Sequence, residues 1–80
     1  MQTKKIEIYS TPTCHFCHLA KDYFNANNIT YTEYNVATDT QKRDEMIEIT
    51  GQRGVPVIVV DGDIMVGFNE TAFEEQFGKL

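Results

Sequence analysis

Residues 5–24 read KIEIYSTPTCHFCHLAKDYF, and the hydrophobic period changes partway through the run. Ile6 and Ile8 alternate with Lys5 and Glu7, the period of two expected of a strand. From Phe16 onward Leu19, Ala20, Tyr23 and Phe24 recur at three- and four-residue steps, which places them on one face of a helix. Both cysteines and both histidines of the chain, Cys14, His15, Cys17 and His18, fall at the junction. The spacing predicts a strand β1 over 5–9 and a helix α1 that begins at about Cys14 with Thr13 as its cap. Asn27 and Asn28 suit the left-handed turn that ends such a helix.

Outward from this unit, residues 30–36 are β-branched and aromatic and predict β2. Thr38 and Gln41 have capping-box spacing ahead of a helix α2 that Gly51 closes, with Met46, Ile47 and Ile49 as a modest apolar face. Residues 57–60, VIVV, form a continuous apolar run expected of a strand β3 covered on both sides. Asp61-Gly62 is a two-residue hairpin turn into β4 over 64–66. Asn69 caps a last helix α3 in which Phe73 and Phe77 lie one turn apart, Phe68 staples back onto Phe73, and Gly78 stops the helix. The order β1-α1-β2-α2-β3-β4-α3 predicts an α/β fold. A strand-helix-strand unit makes β1 and β2 parallel, and the hairpin makes β3 and β4 antiparallel. The result is a four-stranded mixed sheet with helices on both faces.

Eighty residues allow one domain, spanning 1–80, of ordinary globular composition at 41% hydrophobic and 24% charged. Such a chain buries only about 60% of its unfolded surface. No low-complexity tract, repeat or long apolar run is present, so a soluble monomer away from the membrane is expected. Residues 1–9 lack an apolar stretch of signal-peptide length, which points to the cytoplasm. The net charge of −5, without a cluster of Lys and Arg, argues against nucleic acid as a partner.

Two cysteines at Cys-x-x-Cys spacing close too short a loop to restrain the unfolded chain, so a structural disulfide is a poor reading. At a helix start, free N–H groups and the helix dipole favour an anion, worth roughly 0.3 to 1 kcal/mol at an exposed terminus. That makes Cys14 the attacking thiol. Cys17, one turn deeper on the same face, is the thiol that resolves a mixed disulfide formed at Cys14. A metal or iron–sulfur reading uses Cys14, Cys17 and His18 on one helical face, but a closed zinc site needs a fourth ligand and the chain has no other cysteine or histidine. His15, between the cysteines, is expected to shift the reduction potential by hydrogen bonding to the reduced pair. Phe16 is read as a rim contact for substrate and His18 as a solvent-facing helix residue.

The segments YSTPTCHFC, GVPVIVVDG and VGFNE together resemble a glutaredoxin, of the thioredoxin superfamily, over nearly the whole chain. The resemblance implies a thioredoxin-like fold and a disulfide reductase acting on protein or glutathione mixed disulfides. It implies that Val55-Pro56 is a cis bond facing the dithiol, with the Val55 backbone free to dock an extended substrate. Glutathione is the implied co-substrate, with no tightly bound cofactor. Substrate contacts implied by matching positions are Thr11, His15, Phe16, Arg53, Val55, Pro56, Asn69 and Glu70, while Gln52 and Arg53 read equally well as a solvated loop. Three departures stand out. Thr11 occupies a position that is usually basic, Phe68 replaces the second glycine of a Gly-Gly-x-Asp run, and Glu70 stands for the aspartate. The Gly67-Phe68 pair is more similar to small glutaredoxin-like redoxins, which take electrons from thioredoxin reductase and supply ribonucleotide reductase.

Overall fold

The alternation of Ile6, Ile8 and Tyr9 divides the molecule into two layers of core. In the computed structural model, which describes residues 4–78, the elements are β1 (Ile6–Ser10), α1 (His15–Ala26), β2 (Thr32–Asn35), α2 (Thr40–Thr50), β3 (Val57–Val60), β4 (Asp63–Val66) and α3 (Glu70–Phe77). The strands pair in the order β2-β1-β3-β4, with β1 and β2 parallel and the other two pairings antiparallel. Ile6 stands opposite Val60 and Ile8 opposite Ile58, so all four side chains share one face. There they meet Ala20 and Phe24 of α1 and Phe73 and Phe77 of α3. Tyr9 and Val57, also paired, point to the other face and meet Val36, just after β2, and Met46 of α2. Helices therefore cover both faces, as the order of elements required.

Local sequence explains the ends. Asp61 and Gly62 have φ of 49° and 91°, the left-handed pair that a tight hairpin turn demands. The Asp61 carboxylate also accepts the Lys5 N–H at 2.7 Å, tying the turn to the start of β1. Gly51, with φ of 70°, closes α2. Asn69 caps α3 by accepting the Ala72 N–H at 3.1 Å, and the Phe68 and Phe73 rings meet at 6.1 Å.

Two caps differ from the sequence reading, each by one residue. The cap of α2 is Asp39, whose carboxylate accepts the Lys42 N–H at 3.0 Å, while the Thr38 hydroxyl donates to the Asn35 carbonyl at 3.4 Å. The full negative charge of Asp39 at a helix start outcompetes a neighbouring hydroxyl. The cap of α1 is Cys14 itself, not Thr13: its backbone is extended, at φ −85° and ψ 115°, and its sulfur accepts from the Cys17 N–H. β2 is shorter than expected because the Asn35 side chain accepts the Ala37 N–H at 3.0 Å and turns the chain. Among the described residues no helix is long and apolar enough to cross a membrane.

Candidate active site

β1 delivers Ser10 to the end of the sheet, and residues 11–13 carry the chain over that end into α1. The Thr11 carbonyl accepts the Cys14 N–H at 3.3 Å, closing the turn. Cys14 then fills the place of a capping Ser or Asp, and the side-chain atom that satisfies the free N–H of the first helical turn is a sulfur, 3.2 Å from the Cys17 nitrogen. Cys14 is partly exposed, Cys17 is 0% exposed, and both are free thiols.

Burial pushes the Cys17 thiol up to about 12, and the hydrogen bond and charge of Cys14 push the same way. The Thr11 backbone and Lys21 oppose the rise. The two sulfurs are therefore unequal: one is reachable and holds an N–H donor, the other is shielded and disfavours its anion.

Above the pair, the Val55-Pro56 bond is cis, and the Val55 carbonyl lies 3.7 Å from the Cys14 sulfur, at the long end for a thiol donor. Pro56 is buried, and its carbonyl accepts the Gly67 N–H at 2.7 Å, locking the start of β3 to the end of β4. Among the described residues nothing accepts from the Val55 N–H.

Phe16 is 54% exposed and opens a groove of about 450 Å³ that runs along α1 past Leu19, Asp22 and Tyr23 to Phe68, Asn69 and Glu70 at the start of α3. Three of the sequence-predicted contacts, Phe16, Asn69 and Glu70, are thus brought together. Val55, followed by Pro56, and Thr11 form a second group, joined to Cys14 through the carbonyls of Val55 and Thr11. Arg53 is exposed on the loop before β3 and touches neither group through a hydrogen bond or ion pair among the described residues. Gln52 is committed to its own loop, accepting the Gly54 N–H at 2.6 Å and donating to the Gly54 carbonyl at 3.1 Å.

His15 corrects an expectation. Its ring meets Phe16 edge-on at 5.4 Å, and among the described residues it makes no hydrogen bond to either sulfur. The first helical position points it outward, away from a pair that lies on the inner face of the turn. His18 is exposed, as read, but not idle: its Nε2–H donates to the Pro12 carbonyl at 2.8 Å, which pins the loop. Among the described residues no group of three or more His, Cys, Asp and Glu could hold a metal ion.

The sequence reading missed a polar cluster next to the cysteines. Ser10, 1% exposed, donates to Glu33 at 2.7 Å, and Lys21 lies 2.8 Å from the same carboxylate oxygen. Lys21 stands one helical turn beyond Cys17, a spacing visible in the sequence. The pairing of Ile8 with Glu33 that brings the acid under α1 is not visible there, because it depends on register.

Comparison with known proteins agrees with this architecture. The glutaredoxin family model matches residues 6–65. A glutaredoxin-like protein in a rubredoxin operon of Clostridium pasteurianum is 46% identical over 74 residues, covering 92% of this chain and 99% of that one. Glutaredoxin 3 of Escherichia coli is 32% identical over 65 residues, covering 81% of this chain and 78% of its own length. Among solved structures, the thioredoxin-like protein BC3987 superposes with a TM-score of 0.81 at 30% identity, covering 89% of this chain and 97% of that one. With a thioredoxin-like sheet, a Cys-x-x-Cys at the first helix and a family match across most of its length, the chain belongs to the glutaredoxin family of thiol oxidoreductases.

Proposed function

We propose that this protein is a dithiol disulfide reductase in which Cys14 attacks and Cys17 resolves. The inequality of the two sulfurs carries the reading: Cys14 is accessible and accepts an N–H at 3.2 Å, while Cys17 is wholly buried. The Cys14 thiolate attacks one sulfur of a substrate disulfide, forming a mixed disulfide and releasing the first substrate thiolate, which takes a proton from water. Cys17 then loses its proton to water and attacks the Cys14 sulfur. The mixed disulfide breaks, the second substrate thiolate leaves with the electron pair, and a Cys14–Cys17 disulfide remains.

Substrate docks as an extended segment against the open Val55 N–H, beside Pro56 and Thr11, with His15 and Phe16 at the rim. Asn69 and Glu70 bound its far end, and Arg53 is a longer-range electrostatic contact for an acidic group. The physiological substrates in this reading are disulfide-containing proteins in the cytoplasm. Glutathione is the co-substrate that returns the oxidised pair to the dithiol, as the family resemblance implies. A second donor, thioredoxin reductase, is favoured by one observation: the Phe68 ring packs on Tyr23, Phe24 and Phe73 and lines an apolar groove where a glutathione-binding member carries glycine.

NADPH-coupled turnover of a model disulfide, with glutathione and its reductase in one arm and thioredoxin reductase in the other, tests both parts. Turnover in at least one arm, abolished by Cys14→Ser, is expected. Activity that survives Cys14→Ser overturns the assignment, and the faster arm identifies the donor.

A further inference from the structure

Resolution poses an electrostatic problem that the Cys-x-x-Cys pair does not solve alone. Cys17 must become an anion while fully buried, and burial is the main reason its thiol is held at about 12. Once Cys14 is in a mixed disulfide it carries no charge and offers Cys17 no thiolate to hydrogen-bond to, so two of the upward influences disappear. Burial remains. A fixed positive charge near Cys17 would offset it.

Lys21 is placed to supply that charge. It follows Cys17 by one turn on the face of α1 that packs against the sheet, and its side chain is 19% exposed. Its ammonium is held by Glu33 at 2.8 Å, and Glu33 is held in turn by the buried Ser10 hydroxyl at 2.7 Å. Ser10 adjoins Thr11, whose backbone favours the Cys17 anion. Glu33 raises the Lys21 ammonium further, so the charge persists at every pH at which a thiol works.

We propose that Lys21, braced by Glu33 and Ser10, is a positioning residue for the resolving step: its ammonium favours the Cys17 thiolate, and Glu33 sets how much of that charge the sulfur feels. The inference rests on the reading of Cys14 as attacker and Cys17 as resolver. Other charged or titratable groups near the cluster are Cys14 from the turn, His18 on α1 and Tyr31 ahead of β2. Among the described residues, β1 contributes the Ser10 hydroxyl and the turn after it the Thr11 backbone, and the α3 acids Glu70 and Glu74 face Tyr23 instead. Removing Lys21 should slow resolution. Neutralising Glu33 should speed it, because the ammonium is then no longer compensated.

A single-turnover reaction with an aromatic disulfide that releases a coloured thiolate separates the steps. The first release reports attack by Cys14, the second reports resolution by Cys17. With Lys21→Met, the second phase should slow about three- to tenfold at neutral pH and its pH midpoint should rise, with the first phase unchanged. Lys21→Arg should restore the second phase, and Glu33→Gln should move the midpoint down. The proposal is overturned if Lys21→Met leaves the second-phase midpoint in place, or if Lys21→Met and Glu33→Gln move it in the same direction. Absence of the first phase in the unaltered protein would instead overturn the assignment of Cys14, a distinguishable result.

Discussion

The two faces of the sheet are held in different ways. On the α1 and α3 face, Phe24 and Phe73 are fully buried with Ile6, Ile8 and Ile58, and ring packs on ring from Tyr23 through Phe73 to Phe77. On the α2 face, the core among the described residues is the smaller cluster of Tyr9, Val36, Met46 and Val57, and polar contacts do part of the anchoring. There Tyr9 donates to Glu45 at 2.8 Å, Tyr34 donates to Glu7 at 2.6 Å, and the Lys42 ammonium sits 4.3 Å from the centre of the Tyr34 ring. Neutral Tyr9 is favoured by burial first and by the Glu45 carboxylate next. The dithiol belongs to the apolar face, where α1 is fixed along its length and Cys14 and Cys17 inherit a defined position. The α2 face reaches the chemistry through Val55, which packs on its cluster and sets its carbonyl 3.7 Å from the Cys14 sulfur.

This contrast can be broken by substitution. Phe24→Ala, on the dithiol face, should cost about 3–5 kcal/mol, the largest stability loss among single substitutions considered, read as a shift in urea midpoint. Met46→Ala, on the other face, should cost about 2–3 kcal/mol and leave single-turnover attack by the folded protein unchanged. A Met46→Ala protein that is folded but slow to attack would erase the distinction between the faces.

Smaller effects sharpen it. Asp39→Ala and Asn69→Ala each remove one cap and should each cost about 1 kcal/mol. Only Asn69→Ala should also raise KM for a peptide disulfide, since Asn69 lines the groove beside Phe16. The smallest effect is a pH dependence from the Lys21–Glu33 pair. Lys21 and the Ser10 hydroxyl hold the Glu33 carboxyl below its ordinary value, so this stabilisation is present above the unfolded value near 4.5 and fades as pH falls through the folded one. Glu33 is 39% exposed, so solvent screening limits the effect to a few tenths of a kcal/mol. Lys21, raised, keeps its charge until well into the alkaline range, so the alkaline limit lies above 10.5. Thermal melts of the unaltered protein and Glu33→Gln across the acid range should converge once the pH falls below the lowered value of Glu33.

Periodicity and turn chemistry made most of this fold legible in the chain: the β1 and α1 periods, the Asp61-Gly62 turn, and the Asn69, Gly51 and Gly78 helix ends all stand where they were read. The misplaced caps arose where two capping residues are adjacent: Asp39 prevails over Thr38 by its charge, whereas Cys14 prevails over Thr13 through backbone angles that composition does not encode. Within the site, the Cys-x-x-Cys spacing was legible as a local pattern, and the cis Val55-Pro56 bond followed from the family resemblance. The hydrogen bond expected from His15 to the pair is absent among the described residues, because its ring packs on Phe16 instead. The Ser10–Glu33–Lys21 cluster was invisible because it joins three elements through strand register.

The division of labour between the two sulfurs is tested most directly by trapping. Cys17→Ser protein, mixed with a peptide disulfide, should accumulate one covalent adduct, mapped by mass spectrometry to Cys14. Cys14→Ser protein under the same conditions should accumulate none, because Cys17 is buried. An adduct on Cys17, or equal trapping by both variants, would contradict the assignment of Cys14 as the attacking thiol.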